Sequence, residues 1–298
     1  MSRNNVLCAL LCLMQLVSST HASEPSLIIV PDHFEDSPHR LLLEYALRVT
    51  AEKYGHVEIS YSYEMVQGRS HQQLIDGTSL HLAAFAPSPE RERELIPIYF
   101  PLTQGLLGFR VCLIAKNQKH KFDDVRTLDD WRQAKLVIGQ GAHWPDVEIL
   151  RSNGLQVETN PIYSLLFDMT RQLRFDCFLR SISEVQSDLA SPHADDLEME
   201  PHLLLYYPQP SLFFVSRRYP ILAERIQKGM EMGWQSGFLQ QHFQQHYGQI
   251  VQQIRCQQRR LIKLDNPLLS QASFEALKRY AYTPEQLFTD SKDHCVSP

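Results

Sequence analysis

An α/β fold in two lobes is what this sequence predicts, and three observations predict it. Short apolar runs closed by turn residues alternate with stretches of helical periodicity, which implies sheets covered by helices. The alternation starts near Ser26, breaks, and restarts at Gly108, so it forms two blocks. At the break lies the stretch from His81 to Lys116, HLAAFAPSPERERELIPIYFPLTQGLLGFRVCLIAK. There an apolar strand ends in a Pro/Ser turn, Arg91 follows, and a Gly-rich segment leads into a second apolar strand. A charge just past a buried strand, followed by a crossing into new structure, is how a two-lobed chain builds a ligand cleft.

The elements follow in order. Ser26 to Val30 reads as a strand ended by Pro31-Asp32. Leu42, Leu43, Tyr45, Ala46 and Val49 recur at helical spacing between Arg40 and Tyr54, and Gly55 stops that helix. Val57 to Tyr63 alternates as a strand, Gln72 to Asp76 is a short helix closed by Gly77, and Leu80 to Ala86 is a third strand. In the second block Phe109 to Ala115 is a strand, and Thr127 caps the helix Leu128 to Gln133. Leu136 to Ile138, Val157 to Asn160 and Phe175 to Leu179 are strands, with helices at Pro145 to Asn153 and Tyr163 to Leu173 between them. Pro192 to Pro201 is a polar connection. Leu203 to Tyr207 and Leu212 to Val215 are strands, followed by a helix from Pro220 to Trp234 and a Gln- and His-rich amphipathic helix to about Ile254. Past Asn266-Pro267 the chain reads as a tail with one short helix, Phe274 to Tyr280.

The segments after Leu203 are too few for a third domain, so the economical solution returns the chain to the first lobe. The expected division is a signal peptide at 1–22, a discontinuous first lobe of 23–108 plus 204–268, a second lobe of 109–203, and a C-terminal tail of 269–298. Two crossings then form the hinge.

Composition narrows the function. A chain of 298 residues with 43% hydrophobic and 21% charged content is that of an ordinary globular protein. The net charge of −5 carries no polyanion-binding footprint, so nucleic acid is not an expected partner. Arg3, the short apolar run Val6 to Val17 and the small residues Thr20 and Ala22 read as a secretory signal peptide cut after Ala22. Export permits disulfides. The four later cysteines, Cys112, Cys177, Cys256 and Cys295, allow three full pairings, and the sequence does not choose among them. Cys112 and Cys177 lie in apolar runs and are expected to be small buried hydrophobes. Cys256 and Cys295 are candidates to staple the tail.

Catalytic signatures are weak. His242 and His246 stand four apart, but without the glutamate of a zinc-protease helix. Gly139-Gln140-Gly141 lacks the third glycine of a dinucleotide fingerprint, and there is no Gly-x-Ser-x-Gly elbow. No cofactor, no metal and no catalytic residue are expected.

The order of elements, the Arg91 turn, Gly139-Gln140-Gly141 opening a helix and Arg174-Phe175-Asp176 ending one resemble the periplasmic solute-binding proteins of the type II, amino-acid-binding (family 3) class. Similar chains are called transporter substrate-binding domain proteins. The resemblance runs from about Ser26 to Leu264. It implies a periplasmic-binding-protein-like type II fold with mixed sheets, helices on both faces and a two-strand hinge that closes on a small ligand. By position, Arg91 matches the arginine that pairs with a ligand carboxylate, for which a guanidinium fork is well shaped. The turn Gly141-Ala142-His143-Trp144 stands where the family presents backbone amides at a helix N-terminus, an end that attracts anions.

Departures from the family pattern are informative. The small hydroxyl residues ahead of the arginine are replaced by Ala83, Ala84 and Ala86. The acid that would receive a ligand ammonium falls near Ser181, and Arg180 stands beside it instead. A standard amino acid is therefore disfavoured, and Arg91, Arg110 and Arg180 together would suit an anionic or polyhydroxylated ligand. The candidate ligand-binding residues are Arg91, Arg110, His143, Trp144 and Arg180. Each has a structural alternative. Pro89 to Glu94 also reads as a solvated charged face, Trp144 as lobe packing, Asp146 as a helix cap, and Arg180 with Glu184 as an internal salt bridge. The resemblance implies a monomeric exported protein that delivers its ligand to the membrane permease of an ABC transporter, or, alternatively, feeds a membrane sensor protein. An enzyme ranks third.

Overall fold

The computed structural model describes residues 25–289. The expected signal peptide and Cys295 lie outside that range. Among the described residues, twelve strands and twelve α-helices follow in chain order. The first block contains β1 (Leu27–Val30), α1 (Pro38–Val49), α2 (Ala51–Tyr54), β2 (Glu58–Tyr61), α3 (Gln67–Asp76), β3 (Leu82–Phe85), α4 (Pro89–Glu94) and β4 (Ile96–Ile98). The second contains β5 (Phe109–Ala115), α5 (Leu128–Ala134), β6 (Val137–Gly141), α6 (Asp146–Ser152), β7 (Gln156–Asn160), α7 (Tyr163–Arg171), β8 (Cys177–Ser181), α8 (Val185–Ala190) and β9 (Leu197–Met199). Last come β10 (Leu203–Tyr206), β11 (Leu212–Val215), α9 (Pro220–Gln235), α10 (Phe238–Cys256), β12 (Arg260–Lys263), α11 (Gln271–Tyr280) and α12 (Pro284–Thr289).

The first lobe joins a parallel β1–β2 pair to an antiparallel β3–β11–β4 sheet. Helix α1 starts at Ser37, whose hydroxyl accepts from the His39 amide at 3.2 Å, with Pro38 at the first helical position. Its apolar stripe, Leu42, Leu43, Ala46 and Leu47, packs on α9. The two helices meet at Ala46 and Gly229, so closely that a Cβ on Gly229 would lie 2.5 Å from the Ala46 Cα.

The second lobe is one seven-stranded mixed sheet in the order β12-β10-β5-β8-β6-β7, with β9 also on β5. Successive side chains of β5 enter opposite cores. Phe109, Val111 and Leu113 pack with Phe178 and α7, while Cys112 and Ile114 pack with Trp131 and Ile149. Strand β5 is buried along almost its whole length because helices cover both faces.

Two expectations need correction. Strands β10 and β12 belong to the second sheet, not the first lobe: β10 pairs with β5 and with β12. The apolar run Leu203–Leu205 is buried throughout and needs neighbours on both edges. Of the segment assigned to the first lobe, β11 and α9 lie there, while α10 runs from Leu239 in the first-lobe core to Phe243–Ile254 in the second. Second, Cys112 and Cys177 are buried but bonded to each other across β5 and β8. Cys256 is also disulfide-bonded.

The lobes are joined by two extended segments lying side by side. Leu102 donates to the Ser211 carbonyl at 2.9 Å, and Tyr207 donates to the Gly108 carbonyl at 3.2 Å. Helix α10 is a third connection. Among the described residues, no helix is long and apolar enough to cross a membrane.

Candidate functional site

Four of the five candidate residues, Arg91, Arg110, His143 and Arg180, lie around the fifth, Trp144, where the lobes face each other. Arg91 comes from the first lobe. It sits on α4, a short helix rather than a turn, whose N-cap Ser88 accepts from the Arg91 amide at 3.2 Å. The guanidinium is 4% exposed and lies 4.7 Å from the centre of the Phe85 ring. It donates to the Ala86 carbonyl at 2.7 Å, to Gln67 Oε1 at 2.7 Å and to the His143 carbonyl at 3.0 Å. The third bond crosses between lobes. All three acceptors are neutral, and burial lowers the pKa of Arg91 to about 10, with Asp146 and Glu90 acting from a distance in the opposite direction.

His143 and Trp144 belong to the turn that leads from β6 into α6. The exposed His143 ring lies over Gly68 in the first turn of α3, where a Cβ would come within 2.9 Å of it. Trp144 packs flat against the backbone of Gly141, a place that no larger residue leaves open. Its ring is stacked on Phe178 at 6.3 Å, and the Arg180 guanidinium lies 5.0 Å from its centre.

Arg110 and Arg180 are not free cations. Arg110, 2% exposed, meets Asp146 at 2.7 Å and donates to Gln209 Oε1 at 3.2 Å. Asp146 also accepts from the Tyr207 hydroxyl at 2.6 Å and from Gln209 Nε2 at 3.3 Å. Burial is the largest single influence on Arg110 and opposes its charge, but Asp146, Tyr207 and Glu184 together outweigh it and the pKa is raised. Arg180 donates from Nε to Asp188 at 2.6 Å and meets Glu184 at 3.3 Å. Asp188 also accepts from the Tyr163 hydroxyl. Burial again opposes the charge, and the two carboxylates raise the pKa of Arg180 well above its ordinary value. The expected trio of open cations is thus one buried arginine on neutral acceptors and two matched ion pairs.

Two spaces adjoin this cluster. One of about 70 Å³ lies between the lobes, bounded by Gln67, Ala84, Phe85 and Ala86 on one side and Arg110, Trp144 and Asp146 on the other. A groove of about 890 Å³ opens beside it, with Arg91, Glu90 and His71 on one wall and His143, Trp144, Glu148 and Arg151 on the other. Its charges alternate, two carboxylates against two guanidinia. Of the three alanines noted in sequence, Ala84 and Ala86 face the smaller space, whereas Ala83 is in the first-lobe core. Ser181 faces neither space. Its hydroxyl is bonded to the Leu106 carbonyl at 2.9 Å and to Ser183 at 2.8 Å. Among the described residues, no group of three His, Cys, Asp or Glu is placed to hold a metal.

Sequence reasoning missed Gln67, Asp146, Tyr207, Gln209, Tyr163 and Asp188 as members of the cluster. Asp146 was visible as the first acid after the His143-Trp144 turn, where it reads equally well as a cap. Nothing local marks the others.

The chain matches no family model and no curated protein. Solved structures do resemble it. The amino acid ABC transporter substrate-binding protein AbpA from Streptococcus pneumoniae, bound to L-arginine, is 13% identical and superposes with a TM-score of 0.55 over 75% of this chain and 94% of that one. An ancestral arginine-binding protein bound to arginine is 15% identical, with a TM-score of 0.54 over 76% and 100%. An ancestral amino-acid-binding protein that is a precursor of cyclohexadienyl dehydratase is 10% identical, with a TM-score of 0.53 over 74% and 96%. At these identities the likeness is one of fold, and the fold of this chain is that of the two-lobed periplasmic binding proteins.

Proposed function

We propose that this is an exported solute-binding protein that closes on a small polar, anionic ligand and delivers it to a membrane transporter. The observation that carries the reading is the Arg91 bridge. A guanidinium rooted in the first lobe is buried against three neutral oxygens, one of them the His143 carbonyl of the second lobe. A ligand carboxylate or similar oxyanion at that fork supplies a counter-charge that no described carboxylate gives Arg91 by direct contact. Hydrogen bonds to a charged group contribute about 1.5–3 kcal/mol each. The space of about 70 Å³ is far smaller than a small-molecule site, so admitting a ligand between the walls requires the lobes to part along the two crossing segments.

The acids of the cluster are already engaged, Asp146 by Arg110, Tyr207 and Gln209, and Asp188 by Arg180 and Tyr163. That leaves neither as a ready partner for an α-ammonium and neither as a general base, so the reading assigns no chemistry on the ligand. Delivery to a transporter is preferred over a sensory role because two-lobed chains of this fold include ABC transporter substrate-binding proteins.

The test is a thermal-shift screen of the protein lacking residues 1–22 against small carboxylates, other oxyanions, sugars and L-amino acids. The expected result is stabilisation by one or more anions without an ammonium, and its loss in Arg91→Lys, which keeps the charge but not the fork. Strong shifts with common L-amino acids, or an anion response that survives the substitution, would overturn the assignment.

A further inference from the structure

The chain does not end where the two lobes are complete. After β12 it leaves the second lobe, touches the first, and returns. The exit is fixed by Asp265 and Asn266. Asn153 of the second lobe bonds both the amide and the carbonyl of Asp265, at 3.1 and 2.8 Å, and Asn266 donates to the Pro208 carbonyl at 2.8 Å. Leu268 then forms part of the wall of the large groove.

Helix α11 grips the first lobe. Glu92 Oε1, one residue along α4 from Arg91, accepts from the hydroxyls of Ser270 at 2.9 Å and Ser273 at 2.6 Å, and Ser273 is fully buried. At its other end Tyr280 stacks on Phe100 at 4.4 Å and meets Trp234 edge-on at 4.9 Å. The Tyr282 amide donates to the Gln104 carbonyl in the first crossing at 3.0 Å. The return is fixed by α12, where Glu285 meets Lys263 of β12 at 2.8 Å and Leu287 enters the second-lobe core.

From this path we infer that residues 266–282 form a strap: rooted at both ends in the second lobe, it holds the first lobe shut through Glu92 and Tyr280 and must let go for the groove to open. Its fastenings suit release. They are two hydroxyl-to-carboxylate bonds, the contacts of one ring with Phe100 and Trp234, and the single amide bond from Tyr282, a set of separate local contacts. Its acid anchor lies on the same helix as Arg91, so releasing the strap frees the helix that carries the ligand arginine. Opening is then a coupled event of strap and lobes rather than a free hinge motion.

Hydrogen exchange on the ligand-free full chain tests this, with two variants, Glu92→Ala and Ser273→Ala. The first removes the anchor from the outside of α11 and the second removes one fastener at minimal change in volume. In both, amides of 266–282 are expected to exchange at least 10-fold faster. Amides of 89–94 and of 141–147, the two walls of the groove, should accelerate with them, while β5 keeps its protection. A strap that loosens while 89–94 and 141–147 stay protected would show that it does not hold the lobes. Unchanged protection of 266–282 would show that Glu92 and Ser273 do not fasten it. No ligand enters the measurement, so a failed ligand screen leaves its outcome intact.

Discussion

Asp146 is the residue whose loss should be felt most widely, because it ties the second crossing to the start of α6, directly after the turn that carries His143 and Trp144. It accepts from Arg110 at 2.7 Å, from Tyr207 at 2.6 Å and from Gln209 at 3.3 Å, and it is 3% exposed. At 2.7 Å and an effective dielectric near 20, the attraction to Arg110 is about 6 kcal/mol. Desolvation of both groups offsets most of it, so the intact pair is worth little against an apolar pair of similar volume. Removing one partner is different. Asp146→Ala leaves Arg110, whose Nε already has no hydrogen-bond partner, buried without its carboxylate. The expected cost is about 3–5 kcal/mol, and Arg110→Met should cost a similar amount by stranding the acid. The double variant Asp146→Ala/Arg110→Met should lose far less than the sum of the two single losses, because it leaves neither charge buried alone. Urea unfolding followed by fluorescence of Trp131, Trp144 and Trp234 measures all four proteins. Additive single effects, or single losses below about 1 kcal/mol, would refute the view that these two charges form one buried unit.

Two further outcomes follow from groups away from the cleft. His39 and His242 meet where α1 packs on α10, with the His242 ring bonded to the Pro38 carbonyl at 2.9 Å. Burial lowers their pKa values to about 3 and about 4, with neighbouring His33, His242 and His246 adding repulsion. Unfolded histidine titrates near 6.5, so between the folded and unfolded values the unfolded chain binds more protons. Stability should be full above pH 6.5 and fall by about 2–4 kcal/mol on going to pH 5, and a flat urea profile over that range would contradict the burial of the pair. The Cys112–Cys177 disulfide closes a loop across a separation of 65 residues, for which chain entropy gives about 4 kcal/mol. Cys112→Ala/Cys177→Ala should lose that amount in chemical unfolding, and a loss under 1 kcal/mol would mean that the reduced chain is restrained in some other way.

Much of the fold was legible because periodicity is local. The stripe of Leu42, Leu43, Ala46 and Leu47 and the alternating face of β5 are each written within one turn or one strand. Lobe membership was not legible for β10 and β12. Both are short apolar strands that would fill an edge in either sheet, and only pairing decides, with Leu205 opposite Arg110 and Leu204 beside Leu261. The disulfide was missed for a related reason. An apolar cysteine and a bonded cysteine look alike in sequence, and what separates them is that β8 lies next to β5, so that Cys112 and Cys177 come within 5.0 Å between Cα atoms.

The candidate site shows the same division more sharply. Residue type told where charge would be, and Arg91, Arg110, His143 and Arg180 lie around Trp144. It did not tell which charges would still be open. Arg180 and Glu184, four apart, form the one pair that spacing alone suggests, yet the tighter contact is to Asp188. The acid that neutralises Arg110 is held by Tyr207 and Gln209, 61 and 63 residues further on. Arg110 and Arg180 therefore act inside the second lobe: they fix α6 and α8 to the central strands β5 and β8, and with them the turn that presents His143 and Trp144. Arg91 is the exception because its acceptors are neutral and one belongs to the opposite lobe. A ligand anion that takes the place of the His143 carbonyl would exchange a neutral contact between lobes for a charged one. On the proposed reading that exchange would couple binding to closure through a single guanidinium, so substituting Arg91 should silence the ligand response while substituting Arg110 or Arg180 should first weaken the fold.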